Sequence, residues 1–311
     1  MDWRTRWIRN KRWLQIILIT AVFTVSVRLL ITFELNDSAL LYLAIPYLIA
    51  LLLAFFRRRE ATASLVKKYA GLCFDSLIVM LASSLVLFEG FLCVLMFMPI
   101  YFIAVLIAFL IESLTYRYSK RPGKNDLKAH LLPYLFLLLS VEGIVPTLSF
   151  SRENSVSVVK IINRTPVEIQ NNLKQPIELD VNRHWFLSVF PMPYQVDAGS
   201  LKTGDIHRVD YRYKKWFFTN THEGTLRLLI EDVSANRIKT RILEDTSYLS
   251  SYMNLKGTQI LLTPLENGAT EVNLSIYYDR RLDPAWYFHP LQKYGVSKMA
   301  ELLIEELMNK G

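Results

Sequence analysis

Cysteine is almost missing from this chain. Only Cys73 and Cys93 occur, both inside apolar runs, and the stretch after residue 150 has none. That stretch has no disulfide framework, so its size must supply the core. Metal-ligand spacing is missing as well. His184, His207, His222 and His289 share no HxxH or HExxH spacing and have no cysteine to join them in a zinc site. No GxSxG, P-loop or GxGxxG motif occurs, so the sequence names no catalytic residue and implies no metal or cofactor. A basic surface for nucleic acid is lacking too. Residues 151–311 carry 20 basic and 19 acidic side chains, a net of +1.

The chain's overall charge of +8 comes from its first half, where 16 basic side chains face 9 acidic ones. Fifteen of those 16 fall into three clusters. They are Arg4, Arg6, Arg9, Lys11 and Arg12; Arg57, Arg58, Arg59, Lys67 and Lys68; and Arg117, Lys120, Arg121, Lys124 and Lys128. Each cluster abuts an apolar run, and the alternate loops hold only acids, Glu34 and Asp37 and then Glu89. This is the positive-inside pattern of a multi-pass membrane protein with a cytoplasmic N-terminus. About 20 mostly apolar residues cross roughly 30 Å of hydrocarbon. Spans are accordingly expected at 13–33, 39–56, 70–88, 91–113 and 130–149, with Glu89 and Gly90 turning a hairpin. The run from Trp13 to Phe33 is too long for a signal-peptide core and reads as an uncleaved anchor. Five spans place everything after residue 150 outside the cytoplasm, at the outer face of the cytoplasmic membrane.

Two charges fall inside these spans. Arg28 lies near the outer end of the first and Glu142 near the outer end of the fifth, at depths that differ by about 3 Å. An ionised group in hydrocarbon needs a partner, so the two are expected to pair. The pair reads either as a clamp between helices or as part of a proton or substrate path.

The second half reads as α+β. Val156, Val158 and Lys160 alternate with Ser155, Ser157 and Val159 in a first strand. Thr165-Pro166-Val167-Glu168 carries a capping box and a first-position proline, predicting a short helix over 166–174. Strands follow at about 204–214, 224–232, 236–244, 256–264 and 270–278, the last two joined through an Asn-Gly turn. Asp283 and Pro284 open a long terminal helix to 309. Its expected apolar face holds Phe288, Leu291, Met299, Leu302 and Leu303, with Val296 and Leu307 at the edge and Gly295 on the same side.

This order, with "IINRTPVEIQNNL", "LKTGD" and "LLTPLENGATEVNLSI" in sequence before the terminal helix, resembles the START-related superfamily, also called SRPBCC or the polyketide cyclase/lipid-transport family. The resemblance covers roughly 153–309. The membrane half resembles no family. The family's fold implies a curved antiparallel sheet gripping the terminal helix, with a cavity between them for a lipid or other hydrophobic molecule. The stretch Gln175–Ala198 departs from the pattern as an insertion, expected to hold short helical elements and to form a lid. Trp185, Phe190, Tyr194, Tyr248, Tyr252, Met253 and Met299, with Gly295, read as cavity lining or as ordinary core. Tyr211, Tyr213 and the residues to Phe218 form an aromatic-basic run that faces bilayer headgroups or is a strand with one polar face. The expected partners are the bilayer and a hydrophobic small molecule or lipid. Three functions fit: a membrane-tethered ligand-binding module, a cyclase- or hydrolase-type enzyme on the same fold, or a transporter or assembly partner with a regulatory domain.

Overall fold

A computed structural model of the protein describes residues 3–35, 37–57, 64–87, 91–119, 138–178, 186–187, 190–197, 199–216 and 219–309. The chain forms two compact units, Met1–Phe150 with Leu282–Ala285, and Ser151–Arg281 with Trp286–Gly311.

The first unit is helical: α1 (Trp3–Thr32), a π-turn (Leu40–Ala44) leading into α2 (Ile45–Arg57), α3 (Leu65–Leu87) and α4 (Phe91–Ser119). Among the described residues, three stretches are long and apolar enough to cross a membrane, Leu14–Thr32, Leu65–Val86 and Val94–Ser113. They overlap the expected spans at 13–33, 70–88 and 91–113. Leu40–Ala54 is a shorter apolar helix. Small residues line the contacts: Ala50, Ala54, Ala104 and Ala108 are buried, which lets helix backbones approach closely. Tyr42 packs on Phe97 (4.5 Å between ring centres) and Tyr69 on Phe109 (5.8 Å). The outward faces carry Leu14, Ile17, Leu18, Val25, Phe74 and Leu85, all exposed.

Residues 130–137 of the fifth expected span lie outside the described residues. The rest of it, from Leu139 on, is two short 3-10 turns (Leu139–Val141 and Pro146–Leu148). Gly143 between them has φ +82°, a conformation that ends a right-handed helix. A side chain at Gly143 would run into the Asp283 carboxylate. That carboxylate accepts the Ser149 hydroxyl (3.1 and 3.3 Å), and the Asp283 amide donates to the Asp37 carbonyl (2.8 Å).

Among the described residues, the second unit is an eight-stranded antiparallel sheet with two α-helices. In chain order these are β1 (Glu153–Ile162), α5 (Pro166–Asn172), β2 (Ile177–Glu178), β3 (Met192–Asp197), β4 (Ile206–Trp216), β5 (Thr219–Ser234), β6 (Arg237–Asp245), β7 (Met253–Pro264), β8 (Thr270–Arg280) and α6 (Ala285–Asn309). The strand order is β1-β8-β7-β6-β5-β4-β3-β2. The Thr165/Glu168 capping box is formed as expected. In the turn into β4, Asp205 accepts the Ser200 hydroxyl and the Lys202 amide, which hold its carboxyl below the usual range. In the β7–β8 hairpin Gly268 has φ +81°, and the Leu265 amide donates to the Ala269 carbonyl (2.8 Å).

Two expectations need revising. The stretch Gln175–Ala198 holds the unexpected strands β2 and β3 at its ends; of the expected short helical elements between them, a 3-10 turn at Leu187 is seen, and residues 179–185 and 188–189 lie outside the described residues. Pro191 and Pro193 hide the strand signal, and Pro193 sits at a bulge between Pro193 and Gln195 where a missing donor is tolerated. The buried face of α6 is also wider than the expected one. The expected Phe288 and Leu302 are buried, and Gln292, Val296, Ala300 and Ile304 continue from Phe288 in a four-residue stride. Gln292 and Ala300 carry little hydrophobicity, so they drew no weight in the pattern. This stripe packs with Val156 and Ile162 of β1, Ile169 of α5, Met253 and Leu262 of β7 and the inward row of β8. Sheet and terminal helix pack together in the helix-grip arrangement expected from the sequence.

Candidate functional site

The concave face of the sheet is set by alternation. On β4, Val209, Tyr211 and Tyr213 turn inward and are buried, while Arg208 and Arg212 turn out to solvent, where they pair with Asp210 (2.8 Å) and Glu223 (3.0 Å). For 211–213 the aromatic-basic run is therefore a strand with one polar face. On β5 the inward partners are Leu226 opposite Val209, Gly224 opposite Tyr211 and His222 opposite Tyr213. Val209, Tyr211 and Leu226 form one apolar cluster with Val196, Leu228, Ile242 and Leu255. Among the described residues no side chain of α6 belongs to it, whereas α6 grips the β1–β8–β7 side through a cluster of its own.

A bulge brings an acid into this apolar patch. The β5–β6 register shifts between Arg227 and Leu228, so Leu228 pairs with Ile242 and Arg227 with Glu244. The extra residue, Leu243, moves the next inward position to Asp245, opposite Leu226. The chain then turns through Tyr248–Ser251 in a 3-10 turn. Gly224 makes room for it, since a side chain there would strike the Thr246 carbonyl. The turn stacks Tyr248 on Tyr213 (4.8 Å, 17°) and brings it against His222 (5.6 Å) and Tyr252 (5.7 Å). The Tyr252 carbonyl accepts the Gln292 side-chain amide of α6 at 3.0 Å.

Electrostatics follow burial. The Asp245 carboxyl is pushed up by desolvation, against hydrogen bonds from Ser247 that pull it down. Burial pushes the Tyr211 phenol up, and the Asp245 charge adds to the effect. Tyr278 on β8 is pushed up to about 12 by burial, with the Arg280 charge opposing.

The residues singled out from sequence divide among several places. Tyr248 and Tyr252 meet in the ring group just described. Met253 belongs to the core beneath α6. Phe190 packs on Phe186 (4.9 Å), which also meets Tyr294 edge-on (5.0 Å). Gly295 sits beside that ring, with Phe186 Cε1 only 3.4 Å from where a Cβ would stand. Met299 packs with Leu187, Met192 and Leu302. Tyr194 lies under the Arg212 guanidinium (4.7 Å), away from the concave face. Trp185 lies outside the described residues. In the first unit Arg28 is exposed on α1, and the buried Glu142 accepts the Ala285 amide at 3.0 Å. Sequence reasoning missed Asp245 and Gln292, and it read Tyr211 and Tyr213 only as part of a run. Strand alternation is the signal that finds the tyrosines. No group of three or more His, Cys, Asp or Glu is placed to hold a metal among the described residues.

Solved structures similar to the C-terminal half are START/SRPBCC-superfamily proteins. A START superfamily protein from Mycobacterium smegmatis is 13% identical, with 50% of this chain and 95% of that one covered at a TM-score of 0.36. The ZhuI aromatase/cyclase from Streptomyces sp. R1128 is 14% identical, covering 51% and 93% at 0.34. A Staphylococcus aureus protein of unknown function is 14% identical, covering 50% and 92% at 0.32. No protein-family model matches the chain, and no curated protein does.

Proposed function

We propose that the second unit is a binding module for a hydrophobic ligand, a lipid or a similar apolar molecule, and that the helical unit tethers it to a membrane. One observation carries the reading. The concave face holds an apolar cluster around Val209, Tyr211 and Leu226 that no side chain of α6 joins among the described residues, while α6 packs on β1, β7 and β8 and, through Met299 and Leu302, on Met192 of β3. A helix that meets both margins of a curved sheet leaves its middle to be filled, and an apolar molecule is what such a surface takes.

The tether is supported by three helices of membrane-spanning length and by the apolar side chains they turn outward. The basic clusters at Arg4–Arg12, Arg57–Lys68 and Arg117–Lys128 favour a cytoplasmic N-terminus and a binding unit outside. Tethering raises the module's effective concentration beside a ligand drawn from the bilayer.

Mass spectrometry of organic extracts from the purified full chain tests the binding reading. A near-stoichiometric apolar species, enriched over the lipids of the source membrane, is expected. Bulk lipid in membrane proportions only would count against it. Orientation is read separately by fusing alkaline phosphatase after Gly311 in a bacterial host. Activity is expected, and an inactive fusion with an active cytoplasmic reporter would reverse the assignment.

A further inference from the structure

The helical unit also carries exposed apolar side chains where no helix of spanning length runs. Val145, Leu148 and Phe150 stand exposed on the segment after Glu142, and Phe33 stands exposed just past the end of α1. The polar groups of the segment turn the other way. Glu142 is buried, its carbonyl accepting the Ala39 amide (2.9 Å) and its carboxylate the Ala285 amide (3.0 Å). The Ser149 hydroxyl donates to the Asp283 carboxylate (3.1 Å), and the Asp283 amide donates to the Asp37 carbonyl (2.8 Å). Both ends of the segment are thereby tied to the loop that follows α1. Between them the Leu148 amide donates to the Val145 carbonyl (3.0 Å) in a 3-10 turn. Side chains three apart eclipse in such a turn, so Val145 and Leu148 share a side.

The loop sets the depth. Leu14–Thr32 is 19 residues long, about 28 Å of helix, close to the roughly 30 Å of bilayer hydrocarbon. Thr32 therefore marks the boundary, and the segment tied to Asp37 and Ala39 lies beside it. Two costs agree on that level. Apolar side chains are disfavoured in water. Two short 3-10 turns joined through Gly143 lack a helical ladder, and such backbone is disfavoured in hydrocarbon, where every N–H and C=O needs a partner. The headgroup region satisfies both. The exposed side of α1 runs through Val22, Val25 and Leu29 to Phe33, so this apolar surface continues the one that the tether reading turns to lipid.

We propose that residues 144–150, with Phe33, form an interfacial anchor that inserts Val145, Leu148 and Phe150 among lipid headgroups and upper acyl chains and does not cross the bilayer. The inference rests on the tether reading above and adds the place where the chain leaves the membrane, since the second unit begins at Ser151. The partner is the lipid surface itself. The one charged side chain in 138–150 is Glu142, which is engaged with Ala285, so a zwitterionic lipid suffices.

The test is electron paramagnetic resonance on the full chain in phosphatidylcholine nanodiscs, with Cys73→Ser and Cys93→Ser as background. A nitroxide is attached at Val25→Cys, Leu148→Cys or Phe150→Cys, one at a time. Its depth is read from collisions with oxygen, which partitions into lipid, and with a water-soluble nickel chelate, against spin-labelled phosphatidylcholines of known depth. Labels replacing Leu148 and Phe150 are expected at headgroup level, about 10 Å shallower than the one replacing Val25, which is the helical rise from Val25 to Thr32. Val145→Cys takes the place of either variant that does not fold. Nickel collisions there equal to those of a free aqueous label overturn the proposal. So does shielding from both reagents, which would mean that protein covers the segment. A depth equal to or greater than that of the Val25 label also overturns it, by making the segment a span. In each of these cases a deep Val25 label leaves the tether reading intact, whereas a Val25 label open to water overturns both.

Discussion

Asp245 and Glu168 are both carboxylates that accept a backbone amide, and their surroundings drive them in opposite directions. Glu168, open to solvent in its capping box, is pulled down by the amide and hydroxyl of Thr165. Asp245 is pushed up because burial penalises its charged form. The sign for stability follows from the raised value. The folded state holds the proton more tightly than the unfolded chain, so the relative stabilisation is complete below the unfolded carboxyl's value. It is lost as pH rises through the folded value. An asparagine at 245 does not titrate. Asp245→Asn is therefore expected to gain stability relative to wild type as pH rises from about 4 to 7.5, by an amount that levels off above the folded value. Thermal melts across that range check it, and a difference independent of pH would contradict the assignment. Little of this was legible in the sequence. The inward direction of Asp245 depends on a single extra residue in β6, and a bulge leaves no mark in a hydrophobicity pattern. The placement of Tyr211 and Tyr213 was nearer to hand, because β4 alternates cleanly.

Elements with strong local chemistry were the legible ones. Thr165, Pro166 and Glu168 specify the start of α5, Asn267-Gly268 specifies the hairpin, and the long apolar stride before the C-terminus specifies α6. Elements held by tertiary pairing were not. β3 carries two prolines at or beside its start and is a strand because β4 lies next to it with a complementary register. The inward face of α6 is wider than its apolar pattern for a related reason: Ala300 is buried by its neighbours and not by its own hydrophobicity. Close approach between elements is likewise invisible in sequence. Gly224 is a small residue within a strand, and only the fold reveals the backbone of Thr246 lying over it. Gly224→Ala should cost about 1–3 kcal/mol, because backbone cannot yield as a side-chain tip does. Gly199→Ala, with open space around it, should stay within about 0.5 kcal/mol. Urea titrations of the two variants compare them directly, and equal effects would mean that the turn after β6 does not lie against Gly224.

Across the whole molecule, charge and hydropathy divide the chain into an apolar half and a nearly neutral mixed half. The division needs no long-range information, since composition alone changes near residue 150. What each half does depends on surfaces that composition does not locate. The helical half turns leucine, isoleucine and valine outward, and the second half turns apolar and aromatic side chains inward. We propose that the inner surface of β4, β5 and β6 holds an apolar ligand. Photo-crosslinking reads this out: the full chain in nanodiscs is irradiated with a diazirine fatty alcohol and the labelled peptides are mapped. Labelling is expected within 206–245 and within 285–309, suppressed by excess unlabelled alcohol. Labelling confined to α1–α4, or labelling of the second unit that excess alcohol does not reduce, would contradict it.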